Sequence, residues 1–161
     1  MSADVNKTSN REAPERREVL ILNVGRRMLG IFTENVAGVA AGKSPVPLPR
    51  SPESVLGVVA FRGRMLTVVD LLPLLGESAG TSEPAIIVAL SGEEQLAIAA
   101  DSSRGAIQVF SRELELSAPD GGSGILSGTL NRNGDQIDLL DVPNLFDVVI
   151  KAHRERRRRR F

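Results

Sequence analysis

Proton transfer or nucleophilic attack needs a base held by an orienting partner, and this chain of 161 residues offers little material for one. Its only histidine, His153, lies between the end of an apolar helical pattern and a run of arginines, with no acid placed to orient the imidazole. Cysteine is absent, which removes thiolate nucleophiles, disulfides and sulfur metal ligands together. Carboxylates are plentiful, but Glu93, Glu94, Glu113 and Glu115 fall at expected turns or exposed strand positions, where solvation accounts for them. No GxxxxGK[ST], GxGxxG or HExxH pattern occurs. The run Gly121-Gly122-Ser123-Gly124 follows Pro119-Asp120 rather than a strand and reads as a loop. No catalytic residue, cofactor or metal is therefore expected.

The remaining chemistry is recognition by charge. Formal neutrality hides two opposite parts: Val19 to Ile150 carries 9 basic and 15 acidic residues, whereas Lys151, Arg154 and Arg156 to Arg160 face the single acid Glu155. Arg154, Arg156, Arg157, Arg158, Arg159 and Arg160 are candidate contacts for an anionic partner, be it an acidic protein, nucleic acid or an anionic membrane. Stacking platforms for single-stranded nucleic acid are missing, since the aromatic residues are five Phe with no Tyr or Trp. No apolar stretch approaches the ~18 residues of a membrane-crossing helix, and Met1 to Glu18 is polar rather than a secretory leader, so a cytoplasmic protein is expected.

The elements that position these groups are mostly strands. Apolar or alternating runs rich in Val, Ile and Leu predict strands at Val19–Val24, Met28–Phe32, Asn35–Ala41, Leu56–Phe61, Met65–Val69, Ala85–Leu90, Gln95–Ala100, Arg104–Phe110, Ile125–Leu130 and Gln136–Leu140. Gly25-Arg26, Gly63, Gly92-Glu93 and Asn133-Gly134 tolerate the positive φ of hairpin turns. Four prolines in Ser44–Pro52 forbid a central strand there. Asp70 and Asp141 each precede a short apolar helical pattern and are suited to cap it. The longer pattern, after Asp141, puts Leu145, Val148, Val149 and Ala152 on one face.

An internal repeat organises these elements. Laying Gly57–Gly76 on Gly128–Asp147 matches Gly57 with Gly128, Gly63 with Gly134, Leu66 with Ile137, Val68 and Val69 with Leu139 and Leu140, and Asp70 with Asp141. A second block matches Ile21 with Val88, Gly25 with Gly92, Leu29 with Leu96, Ile31 with Ile98 and Gly38 with Gly105. Either two copies of a five-strand unit are present or hairpins of equal length merely look alike. Two copies would each be marginal alone and should pack together, and small five-strand units commonly close into barrels that leave no free edge. The organisation expected is a mobile tail at 1–18, a domain at 19–150 made of barrel units 19–80 and 81–150, and a basic tail at 151–161.

The segment Gly57-Val58-Val59-Ala60-Phe61-Arg62-Gly63-Arg64-Met65-Leu66-Thr67-Val68-Val69-Asp70-Leu71, preceded by Leu48-Pro49 and Pro52, resembles the signature of the CheW family. Gly30-Ile31 and Val36-Ala37-Gly38-Val39 extend the resemblance upstream, and it runs from about Val19 to Ile150. It implies an all-β fold of two SH3-like five-stranded β-barrel subdomains packed together, with short helices and a C-terminal helix. It also implies a non-catalytic adaptor in bacterial chemosensory signal transduction. The partners it implies are a chemoreceptor signalling tip, the regulatory domain of a CheA-type histidine kinase and other CheW-like domains, met at receptor arrays.

Carried onto this chain, the resemblance makes Arg62 the signature arginine of partner coupling, with Phe61, Val58, Val36, Gly38 and Gly63 as neighbouring contact positions. Arg62 could instead pair with a nearby carboxylate of this protein and order the hairpin, Val36 and Val58 could be core, and Gly63 suits the turn itself. Departures also occur: Gly38 stands where the family usually has an acid, Ala60-Phe61 replaces Asn-Leu, Thr67 replaces Pro, and Asp101 to Ala106 is less apolar than the family pattern. A protein that binds only one of the two partners is therefore the alternative adaptor, and a tether through the arginine run is the alternative of another class.

Overall fold

The computed structural model describes residues 15–116 and 124–158, the last seven of these by backbone alone. The expected loop at 121–123 and the side chain of His153 lie outside the described residues, as does nearly all of the expected N-terminal tail. Among the described residues there are eleven strands: β1 (Arg16–Val24), β2 (Arg27–Phe32), β3 (Val36–Ala41), β4 (Val55–Phe61), β5 (Arg64–Val69), β6 (Ile86–Leu90), β7 (Leu96–Ala100), β8 (Ser102–Phe110), β9 (Leu114–Glu115), β10 (Leu126–Arg132) and β11 (Asp135–Leu140). Two helices join them, α1 (Leu71–Leu74) and α2 (Val142–Arg158), with 3-10 turns at Thr33–Asn35 and Ser111–Glu113. All ten expected strands exist. The two-residue β9 has no sequence signal, because so short a piece shows no period.

The strands form two sheets, ordered β8-β1-β2-β11-β10-β9 and β3-β6-β7-β5-β4. These are the two SH3-like subdomains of a mostly β fold, but neither sheet closes through hydrogen bonds, so the expectation of closed barrels is corrected to strongly curled sheets with edges. Nor are the sheets built from successive units 19–80 and 81–150. The β1–β2 hairpin joins β8, β10 and β11, while the β6–β7 hairpin joins β3, β4 and β5. Each unit of the repeat lends its first hairpin to the other.

The register shows the repeat to be physical. Strand β5 runs parallel to β7 with Thr67 beside Leu96, and β11 runs parallel to β2 with Asp138 beside Leu29. These are the pairs that the sequence match superposes. The bulges repeat as well, lying between Val55 and Gly57 in β4 and between Leu126 and Gly128 in β10. At both glycines a neighbouring backbone presses in: a Cβ would stand 2.2 Å from the Val46 carbonyl oxygen at Gly57 and 2.1 Å from that of Glu115 at Gly128.

The exchange follows from burial on two faces. In β1, Leu20, Leu22 and Val24 belong to a core shared by both sheets, whereas Val19 and Ile21 belong to a core enclosed by the first sheet alone. In β6 and β7, Val88, Leu90, Leu96, Ile98 and Ala100 enter the shared core, and Ile87, Ala89, Ala97 and Ala99 the core of the second sheet. Strands apolar on both faces belong in the middle of a sheet, with packing above and below.

The helices seal the ends. Asp70 is 3% exposed, and its carboxylate accepts from the Leu72 N–H at 3.0 Å and from the Gly80 N–H at 2.7 Å. Asp141 accepts from the Asn144 N–H at 3.1 Å at the start of α2. Leu145 and Val149 of α2 are buried in the shared core, with Val148 packed against it. Two expected boundaries move. Strand β1 already begins at Arg16, because Arg16 to Glu18 pair with Phe110 to Gln108 of β8, and α2 runs through the first part of the basic tail to Arg158.

Candidate partner-binding edge

Arg62 occupies the tip of the β4–β5 hairpin with φ 49°, followed by Gly63 with φ 77°. Two successive residues at positive φ make the tight turn whose twist suits a hairpin, a turn that normally takes Asn-Gly. The corresponding turn between β10 and β11 does take Asn133-Gly134, with φ 51° and 83°. A left-handed conformation costs a residue with a Cβ about 1–2 kcal/mol, and Asn offsets this better than Arg. The turn alone therefore does not account for arginine. Nothing lies within 4 Å of the Cβ position at Gly63, so that residue serves only the backbone.

The side chain of Arg62 crosses to β3, at the opposite edge of the same sheet, where its guanidinium donates to the Ala37 carbonyl at 3.0 Å. It also lies over the Phe61 ring at 4.8 Å from the centroid. Phe61 in turn rests on the core of the second sheet and reaches Gly38. A Cβ at Gly38 would stand 2.8 Å from the tip of the Phe61 ring and 3.1 Å from Nη2 of Arg62. The two edges of the curled sheet are thus bridged by side chains in place of a ladder. Gly38 and Phe61, both departures from the family pattern, are complementary halves of one contact.

Phe61, Arg62 and Gly38 are brought together, with the Ala37 carbonyl as a member that sequence reasoning missed, since a backbone oxygen has no signature of its own. Val36 and Val58 are not part of this cluster. Val36 is packed against the shared core, and Val58 is half-buried on the other side of β4 from Val59 and Phe61, with its backbone paired to Val46 on the outer edge. The other sheet has its own latch, in which Arg132 donates to the Gln108 carbonyl at 3.1 Å and stands 3.8 Å from the Glu113 carboxylate. Arg62 has no such acid: among the described residues its guanidinium forms no ion pair. Among the described residues, the exposed large apolar side chains include Val39 of β3 (45%) and Met65 of β5 (54%), each in a strand of this sheet.

Among the described residues no group of acids or histidines is placed to hold a metal ion, and no described helix is long and apolar enough to cross a membrane. Two sheets fused through a shared core thus display an arginine-tipped edge. The model of the CheW-like domain matches residues 18–149. The chain is 31% identical over 144 residues to protein FrzA of Myxococcus xanthus, covering 85% of this chain and 89% of FrzA. To chemotaxis protein CheW of Thermotoga maritima it is 26% identical over 140 residues, covering 86% and 93%. The crystal structure of scaffolding protein TtCheW from Thermoanaerobacter tengcongensis superposes with a TM-score of 0.70 at 17% identity, over 79% of this chain and 90% of that one. The chain belongs to the CheW-like family, the scaffold and coupling proteins of chemotaxis.

Proposed function

We propose that this protein is a non-catalytic adaptor that couples a chemoreceptor signalling tip to a CheA-type histidine kinase, on the cytoplasmic side of receptor arrays. The observation that carries the reading is Arg62. It is held in a left-handed turn that does not need arginine, anchored by one carbonyl, and exposed with no acidic partner among the described residues. A planar guanidinium fixed in this way keeps donors free for a carboxylate or a row of carbonyls on another protein.

Pull-down of the purified chain with a receptor signalling tip and with a CheA regulatory domain tests the proposal. Binding to both is expected, weakened at least tenfold in Arg62→Glu, while the variant still unfolds cooperatively with a melting temperature lowered by no more than about 5 °C. Absence of binding to either by folded protein overturns it. A second reading, in which only one partner is retained, is favoured by Gly38: the Phe61 ring and the guanidinium fill the space above it, so this edge offers no acid from β3. Retention of one interaction alone in the same experiment identifies that case.

A further inference from the structure

An apolar cleft of about 290 Å³ lies outside the Arg62 edge, between the β6–β7 turn and the first turns of α2. Its apolar lining comes from Leu90, Leu96, Val142, Pro143 and Phe146, with Glu94 on the rim. Glu93 beside it and Asp147 next to Phe146 are both exposed. A cleft with an apolar floor and acidic rim fits a segment that is basic and carries an apolar residue. The chain contains one in Arg156–Phe161, five arginines followed by phenylalanine.

The geometry decides whose segment can reach. From Phe146, at the cleft, α2 rises through twelve residues to Arg158, about 18 Å at 1.5 Å per residue. Arg159 to Phe161 add at most about 11 Å of fully extended chain. With the helix intact Phe161 cannot return to the cleft of its own subunit. Two copies with antiparallel α2 helices satisfy the geometry. The basic end of each helix then lies beside the cleft of the other, and Asp147 of each copy faces the Lys151–Arg154 stretch of its neighbour. Such an arrangement is two-fold and closes, so it makes a dimer rather than a filament.

We infer that this protein self-associates as a two-fold dimer in which the Arg156–Phe161 segment of each copy occupies the cleft between the β6–β7 turn and α2 of the other. The inference does not depend on the proposed coupling role, since neither the cleft nor the tail includes Arg62.

The test is sedimentation velocity on the full chain at low and at high salt. A dimer at low salt whose dissociation constant rises at least tenfold at high salt is expected, because its rim contacts are exposed ion pairs. Glu93→Arg with Glu94→Arg, and separately Arg157→Glu with Arg158→Glu, should each be monomeric. An equimolar mixture of the two variants should recover a heterodimer, since the intact basic tail of the first finds the intact acidic cleft of the second. Adding duplex DNA or anionic phosphatidylserine vesicles to the unaltered chain provides a competitor. A chain that stays monomeric at low salt overturns the inference, including when its tail binds only DNA or vesicles. So does a dimer undiminished by the cleft variant, or a variant mixture that does not associate.

Discussion

At Arg62 the conformational preference of the residue and the demand of its position disagree. The type of turn favours Asn, and the equivalent hairpin has Asn133. Arg62→Asn removes a hydrogen bond to the Ala37 carbonyl and a cation–π contact while relieving the left-handed strain. These terms are each of the order of 1 kcal/mol and opposite in sign. Urea unfolding should therefore show a change within about 1 kcal/mol, whereas partner binding falls as it does for Arg62→Glu. A loss of several kcal/mol instead would make bridging the sheet edges, rather than partner contact, the main role of Arg62. Gly128 is a contrasting case, because the atom that a Cβ would meet is the Glu115 carbonyl oxygen at 2.1 Å, and backbone yields less readily than a side-chain tip. Gly128→Ala should destabilise by about 1–3 kcal/mol, the cost of overpacking a closed space, read as a lowered urea midpoint.

Among the elements, the two capping aspartates do the same job in different surroundings. Asp70 is buried and satisfies two backbone donors, one in α1 and one at Gly80, so it ties the helix to the segment that leads into β6. Asp141 is half-buried and its carboxylate caps α2 through Asn144. Asp141→Ala should cost about 1 kcal/mol, the usual loss of a helix cap. Asp70→Ala should cost more, about 2–3 kcal/mol, because it also removes the charge-assisted hydrogen bond from the Gly80 N–H. Thermal unfolding of the two variants side by side checks the order, and equal losses would refute the added role of Gly80. The edges of the second sheet differ in a similar way. Strand β4 is covered by Val46, whose N–H and C=O pair with Val58 at 2.8 and 2.9 Å, so the proline-rich connection shields it. The other edge, β3, has the Arg62 latch for cover.

At the scale of the whole molecule, exchange of hairpins makes each half dependent on the other. Arg27 of β2 reinforces this, pairing with Asp138 of β11 at 3.2 Å, while Gln136 donates to the same carboxylate at 3.0 Å. A fragment 1–80 holds β1 and β2 without the β8 and β11 strands that flank them, and β3 to β5 without β6 and β7. Fragments 1–80 and 81–161 should each lack a cooperative thermal transition and should acquire one when mixed or co-expressed. Independent folding of either fragment, seen as dispersed amide resonances, would contradict the exchanged architecture.

Much of this was settled along the chain. Strand positions followed from runs such as Val19–Val24 and Gln95–Ala100, turns from Asn133-Gly134, caps from Asp70 and Asp141, and the repeat from the match of Gly57–Gly76 with Gly128–Asp147. These depend on local periodicity and backbone preference, which neighbouring residues determine. Arg62 stood out in the same way, as a charged residue whose counterpart in the repeat is uncharged. What local pattern could not decide was which strands lie side by side. The residues of β1, β2, β6 and β7 are apolar on both faces, so either hairpin could serve either sheet. Only the shared core selects the exchange, by burying Leu20, Leu22 and Leu29 against Val88, Leu96 and Ile98. The cover of Gly38 by Phe61 and Arg62 was settled at the same level, because it arises where two edges of one sheet curl toward each other. No spacing along the chain encodes that approach.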